Sequence, residues 1–122
     1  MIVVGVALAG ALGAPARYVV ESLVRRVRPG PFPLGTFLVN VSGSLALGVV
    51  VGLASRGTLD GDARTVVGIG FLGAYTTFST YAYETVRLAE DGDRRRAALY
   101  AFASVLLACA AAALGLALTG SL

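Results

Sequence analysis

Met1–Ala16, Phe32–Ser55, Thr65–Tyr83 and Ala97–Leu122 contain no charged side chain, so charge-free runs make up most of this 122-residue chain. A helix crosses the hydrocarbon core of a bilayer with about 20 predominantly apolar residues. Four spans fit the runs, at about 2–24, 33–55, 64–88 and 96–119. Only 14% of residues are charged and 57% are hydrophobic, whereas soluble domains carry roughly 25% charge. A soluble chain this short has nowhere to bury so much apolar surface. The reading is an all-α membrane protein, a single four-helix transmembrane domain over residues 1–122.

Several chemistries are excluded at once. The chain has no His, which removes imidazole catalysis and the usual zinc and copper sites. Its single Cys109 has no internal disulfide partner and is expected to fill core space in an Ala-rich run. No Ser/Lys or paired-Asp arrangement lies within the spans, so an enzyme is not expected. The N-terminus lacks the basic opening and cleavage site of a signal peptide, and its apolar run is read as the first span. Net charge is +3, but its placement matters more than its sum. Arg25, Arg26, Arg28, Arg87, Arg94, Arg95 and Arg96 fall in the connections after spans 1 and 3, against Arg56 and Arg64 on the other side. The positive-inside rule puts the seven in the cytoplasm and both termini outside. The Arg94–Arg96 run is a topology anchor, and no nucleic-acid partner is expected.

Turns separate the spans. Arg28-Pro-Gly-Pro-Phe-Pro33 cannot continue a helix, and Arg56–Asp62 is a short polar loop with Asp60 or Asp62 as N-cap. At helical spacing, span 1 shows Gly5, Ala9 and Gly13, the small-residue pattern that lets helix backbones approach. Span 2 aligns Thr36, Asn40, Ser44, Gly48 and Gly52; span 4 aligns Tyr100, Ser104, Ala108 and Ala112. Packing accounts for the small residues. Asn40 has donors and an acceptor to satisfy at mid-span, and serves either as packing glue or as part of a site. Arg17 and Glu21, spaced i, i+4, can reach each other near the end of span 1, as a structural pair or in anion attraction; with Glu84 they are structural or vestibule charges.

The third span mixes glycines, hydroxyls and rings over Gly70–Glu84, which lipid does not tolerate facing outward. Gly68, Gly70 and Gly73 each weaken a helix by about 1 kcal/mol relative to Ala, and Thr76 and Thr77 follow. Two readings stand level: a break near residues 73–77 that frees backbone carbonyls, or an unbroken Gly-rich helix packed on its neighbours. Freed carbonyls facing one another across a symmetry axis suit a hard cation. Beyond that point Phe78 and Tyr81 share a face, with Ser79 and Thr80 adding hydroxyls. Ring edges are partially positive. With Asn40, Tyr100 and Ser104 they make an anion path lacking a fixed positive charge, as weak, multiple sites require.

Three strings carry a resemblance: Gly10-Ala-Leu-Gly-Ala-Pro-Ala-Arg17-Tyr18, Gly35-Thr-Phe-Leu-Val-Asn40-Val-Ser-Gly-Ser44, and Gly70 through Glu84 with Thr76-Thr-Phe-Ser-Thr80 at its centre. In these the chain resembles the CrcB/Fluc family of small fluoride channels, through all four spans. The resemblance implies an antiparallel (dual-topology) dimer with two narrow fluoride pores, in the cell inner (plasma) membrane. It implies passive export that lowers cytoplasmic fluoride, and a structural sodium ion on the dimer axis held by carbonyls at Gly73 and Thr76. Asn40 matches the pore amide, Phe78 the first ring of the paired-phenylalanine box, Ser79 and Thr80 the neighbouring hydroxyls, and Tyr100 and Ser104 the polar track. Three places depart from the pattern. Tyr81 stands where the second box phenylalanine would be, Ala74-Tyr75 replaces a smaller or apolar pair, and Ala108 interrupts the polar track.

The charge bias bears on the partner. Oppositely inserted copies of one chain need balanced positive charge, and seven Arg against two favour one orientation. The second four-span subunit is therefore a paralogue in opposite orientation, or else a second copy. Two further classes compete. A proton-coupled exporter of cations needs an embedded carboxylate, for which Glu21 is the first-span candidate; a non-conducting assembly subunit would show partner binding without flux.

Overall fold

The computed structural model describes residues 1–120, and all of their regular structure is helical. Ser121 and Leu122, the end of the expected single domain, lie outside the described residues. Three helices are long and apolar enough to cross a membrane: α1 (Ile2–Val27), α2 (Leu34–Ser55) and α6 (Arg94–Leu118). At 1.5 Å per residue, each exceeds the roughly 30 Å of hydrocarbon. The remaining apolar stretch is divided. It runs through α3 (Gly61–Arg64), a π-helical segment (Thr65–Leu72) and α4 (Gly73–Tyr75), stops at Thr76 and Thr77, and resumes as α5 (Phe78–Glu90).

Local chemistry sets these boundaries. Asp60 Oδ1 accepts the Ala63 amide at 2.7 Å and starts α3, which selects Asp60 over Asp62 as the cap. Thr77 has extended backbone (φ −150°, ψ 123°), and its Oγ1 accepts the Thr80 amide at 3.2 Å to cap α5. Asp93 Oδ1 does the same for Arg96 at the start of α6, at 3.0 Å. Gly92 turns the chain between α5 and α6 at φ +89°, where any other residue would be strained. The π-helical turn coincides with Gly68 and Gly70, in a conformation that is rare and concentrated at functional sites.

Small residues make the packing. A Cβ on Gly48 would collide with the Ala112 carbonyl, and one on Gly115 with the Leu45 carbonyl, so α2 and α6 touch backbone to backbone. A Cβ on Gly13 would strike the Phe71 carbonyl, while one on Gly70 would lie 2.9 Å from the Val6 carbonyl and the Ala9 side chain. The stripe of Gly5, Ala9 and Gly13 therefore seats the π-helical segment on α1, as its spacing predicts. The first half of the broken stretch packs on α1 and the second half on α6.

Little of the chain is buried. The buried hydrophobic side chains are Val39, Leu72, Leu88, Ala97 and Tyr100, while Val3, Leu8, Leu12, Phe102 and Leu106 are exposed. That is the arrangement of a protein whose solvent is hydrocarbon. One expectation is corrected: Cys109 is exposed. The small residues Ala112 and Gly115 hold α6 against α2.

Candidate anion pathway

The break is held by side chains from two other helices. In an unbroken helix the Thr77 amide would donate to the Gly73 carbonyl. Instead it donates to Asn40 Oδ1 at 2.8 Å, and Asn40 Nδ2 donates back to the Thr77 carbonyl at 2.9 Å. Asn40 thus supplies both halves of a backbone pair that the helix has given up. From α1, Arg17 Nη1 donates to the Thr76 carbonyl at 3.2 Å. The guanidinium sits at the C-terminal end of α4, where a helix dipole favours positive charge. This corrects the structural Arg17–Glu21 pair that the spacing allows. The ion pair among the described residues is Arg96–Asp93 at 3.0 Å, and Glu21 Oε1 is buried without a hydrogen-bond partner. The carbonyl released by the break outcompetes a carboxylate one turn along the same helix.

Beside the break lies a cavity of about 310 Å³. Its walls include Asn40 and Ser44 from α2, Gly73, Thr76 and Thr77 at the break, Phe78 and Tyr81 from α5, and Ser104 and Ala108 from α6. Among the described residues, no charged side chain lines it. Ser104 is 5% exposed, and its Oγ has no hydrogen-bond partner. A buried hydroxyl left unpaired costs about 1–3 kcal/mol. Asn40 has one amide hydrogen beyond that given to Thr77. Phe78, 78% exposed, and Tyr81 complete the wall with rings 5.7 Å apart.

A row of contacts runs from this cavity toward one end of the helices. The Tyr81 ring lies 5.5 Å from that of fully buried Tyr100. Tyr100 OH donates to Glu84 Oε2 at 2.8 Å, and Thr36 Oγ1 donates to Glu84 Oε1 at 3.0 Å. Glu84 opens on a second cavity of about 350 Å³, also lined by Glu21, Arg25, Arg28, Thr36 and Arg87. This mixed-charge vestibule sits where the seven-Arg side of the chain was read from sequence.

Of the residues singled out from sequence, Asn40, Phe78, Tyr81, Ser104, Gly73 and Thr76 come together around the first cavity, and Glu21 and Glu84 around the second. Tyr100 stands between them. Ser79 and Thr80 do not line the first cavity; their hydroxyls approach Thr77 Oγ1 at 3.4 and 3.0 Å. Arg17 lines neither of these cavities. Two residues were given no site role from sequence. Thr77 is the hub of the break, and its signal was its place three residues before Thr80, where an N-cap stands. Thr36 holds Glu84, and its signal was the face it shares with Asn40.

Residues 4–116 match the family model described as CrcB-like protein, Camphor Resistance (CrcB). The chain belongs to the CrcB family. Among its CrcB relatives, one from Leifsonia xyli subsp. xyli, named Fluoride-specific ion channel FluC 1, is 48% identical over 98% of this chain and 88% of its own. Another, from Nitratidesulfovibrio vulgaris and named Fluoride-specific ion channel FluC, is 52% identical over 89% of each chain. A third of that name, from Thermus thermophilus, is 43% identical over 96% of this chain and 94% of its own. These names describe ion channels, a non-enzymatic function. The CrcB match spans both α2 with Asn40 and the broken stretch with Thr76–Thr80, so the residues around the first cavity lie inside the matched region.

Proposed function

We propose that this CrcB chain is a subunit of a fluoride-specific channel of the cell inner membrane, lowering cytoplasmic fluoride by passive export. One observation carries the reading: an uncharged cavity at a pinned helix break, holding a buried Ser104 hydroxyl without a partner. Moving a carboxylate-sized ion into low dielectric costs on the order of 20 kcal/mol. Born energy varies inversely with radius, so fluoride costs more. Only close donors that replace its water shell offset that cost. The free amide hydrogen of Asn40, the Ser104 hydroxyl and the ring edges of Phe78 and Tyr81 are donors of that kind. None is a cation, so none would trap the ion.

The assembly in this reading is an antiparallel dimer with two narrow pores. The Gly73 carbonyl, deprived of the Thr77 amide, and the Thr76 carbonyl, which keeps a second lone pair beside Arg17, are hard oxygen donors that fit sodium. Duplicated across a two-fold axis they would hold one ion and lock the subunits together. The arginine bias fixes this chain in one orientation, so its partner is a paralogue inserted the other way.

Fluoride efflux from liposomes tests the reading, using this chain alone and with a paralogue, in wild type, Asn40→Asp and Phe78→Ile. Efflux of fluoride without chloride in the wild-type assembly, lost in both variants, is expected. Equal passage of chloride and fluoride, or of neither, would overturn it.

A further inference from the structure

Tyr81 is fastened at both ends. Its ring sits between those of Phe78 and Tyr100, at 5.7 and 5.5 Å and tilted 47° to each. Its hydroxyl donates to the Ala101 carbonyl of α6 at 3.0 Å. A phenol has a single O–H to donate, and here it is spent on backbone. Phe78, in the same cavity wall, has no polar atom to tether it and is far more exposed. The two rings are therefore unequal: one clamped, one free.

We infer that Tyr81 is a positioning residue, whose hydroxyl clamps α5 to α6 and fixes the ring so that fluoride meets the ring edge and never the hydroxyl. The inference rests on the conduction reading above and deepens it. Attraction of an anion to an aromatic ring depends on angle, since the edge is partially positive and the face negative. A ring held at the productive angle needs no reorganisation as the ion arrives. An untethered phenolic O–H in the path would be a strong donor to a small anion, and conduction requires that no site hold the ion firmly. Tying the hydroxyl to Ala101 removes that donor from the path and uses it to aim the ring. A phenylalanine here keeps the edge and loses the clamp; a leucine loses both.

The test uses the assembled channel in liposomes and, separately, the wild-type channel labelled with tyrosine carrying ¹³C at the ring carbon bonded to oxygen. Tyr81→Phe is expected to lower fluoride flux by about three- to tenfold, the scale of one lost hydrogen bond, and Tyr81→Leu to lower it to background. In half-deuterated water a held hydroxyl gives separate carbon signals for its O–H and O–D forms. The Tyr81 pair, assigned by its loss in Tyr81→Phe, is expected to persist from zero to saturating sodium fluoride. Tyr81→Phe at background, Tyr81→Phe at the wild-type rate, or collapse of that pair in sodium fluoride but not sodium chloride would each overturn the inference. A wild-type assembly that passes no fluoride would instead bring down the conduction reading, while the state of the clamp is still read from the tyrosine signals.

Discussion

Asn40 and Thr77 exchange two hydrogen bonds, at 2.9 and 2.8 Å, and so join the N-terminal third of α2 to the place where the third apolar stretch leaves helical geometry. The same amide is both the structural pin of the break and part of the wall of the uncharged cavity. Stability and conduction are thus read from one side chain.

Asn40→Ala leaves the Thr77 amide and carbonyl unpaired. The expected loss is about 2–4 kcal/mol, from two buried backbone groups at 1–3 kcal/mol each with partial relief by water. Asn40→Asp keeps the acceptor for the Thr77 amide but loses the donor to its carbonyl, and it places negative charge beside the path. It is expected to cost at least as much stability as Asn40→Ala, because a buried carboxylate is desolvated beside the Thr77 carbonyl, and to abolish fluoride flux. Thermal unfolding in detergent and liposome efflux, run on both variants, check the two orders.

Ser104→Ala is expected to move the two readouts in opposite directions. Removing a buried hydroxyl that has no partner leaves the fold as stable or slightly more so. Removing a donor from the cavity slows fluoride by roughly tenfold, the value of about 1.4 kcal/mol at a transition state. A variant that loses stability along with flux would show that Ser104 serves packing.

Much of this arrangement was legible in the sequence, and what was not has physical causes. The small-residue stripe on α1 was readable because close helix approach demands glycine and alanine at fixed spacing. The glycines and threonines of the third stretch marked where a break was at issue, but intrinsic propensity alone left it level with an unbroken helix. Asn40 decides it, through a contact 37 residues away in sequence that no local rule shows. Arg17 misled for the same reason: its i, i+4 neighbour Glu21 was visible, and the Thr76 carbonyl that it bonds was not. Cys109 misled because apolar surroundings mean burial in water but not in lipid. The pairing of Glu84 with both Thr36 and Tyr100 joins three helices and has no signature along the chain.

Gly48→Val is expected to prevent folding, since even a Cβ there collides with the Ala112 carbonyl. Overpacking of this kind usually costs 1–3 kcal/mol, and backbone cannot yield as a side chain does. Gly61→Ala, with nothing within 4 Å of the new Cβ, is the matched control and is expected to behave as wild type. Monodisperse yield by size-exclusion chromatography separates the two.

Thr36→Val removes one of the two donors that hold the Glu84 carboxylate. It is expected to slow fluoride flux several-fold, as Glu84 swings within the vestibule, and Tyr100→Phe is expected to act the same way through the other oxygen. Because both bonds end on one carboxylate, the double variant should fall short of the product of the two single effects. Efflux rates of the four channels test that coupling.

The halves of the interrupted stretch have different hosts: α1 grips the first and α6 the second. The crossing therefore behaves as an elbow more than as a rod. A thinner or thicker bilayer changes helix tilt, and the change in angle between those two hosts converges on Thr76 and Thr77, where the stretch leaves helical geometry. Lipid thickness is on that account a variable to which throughput should answer.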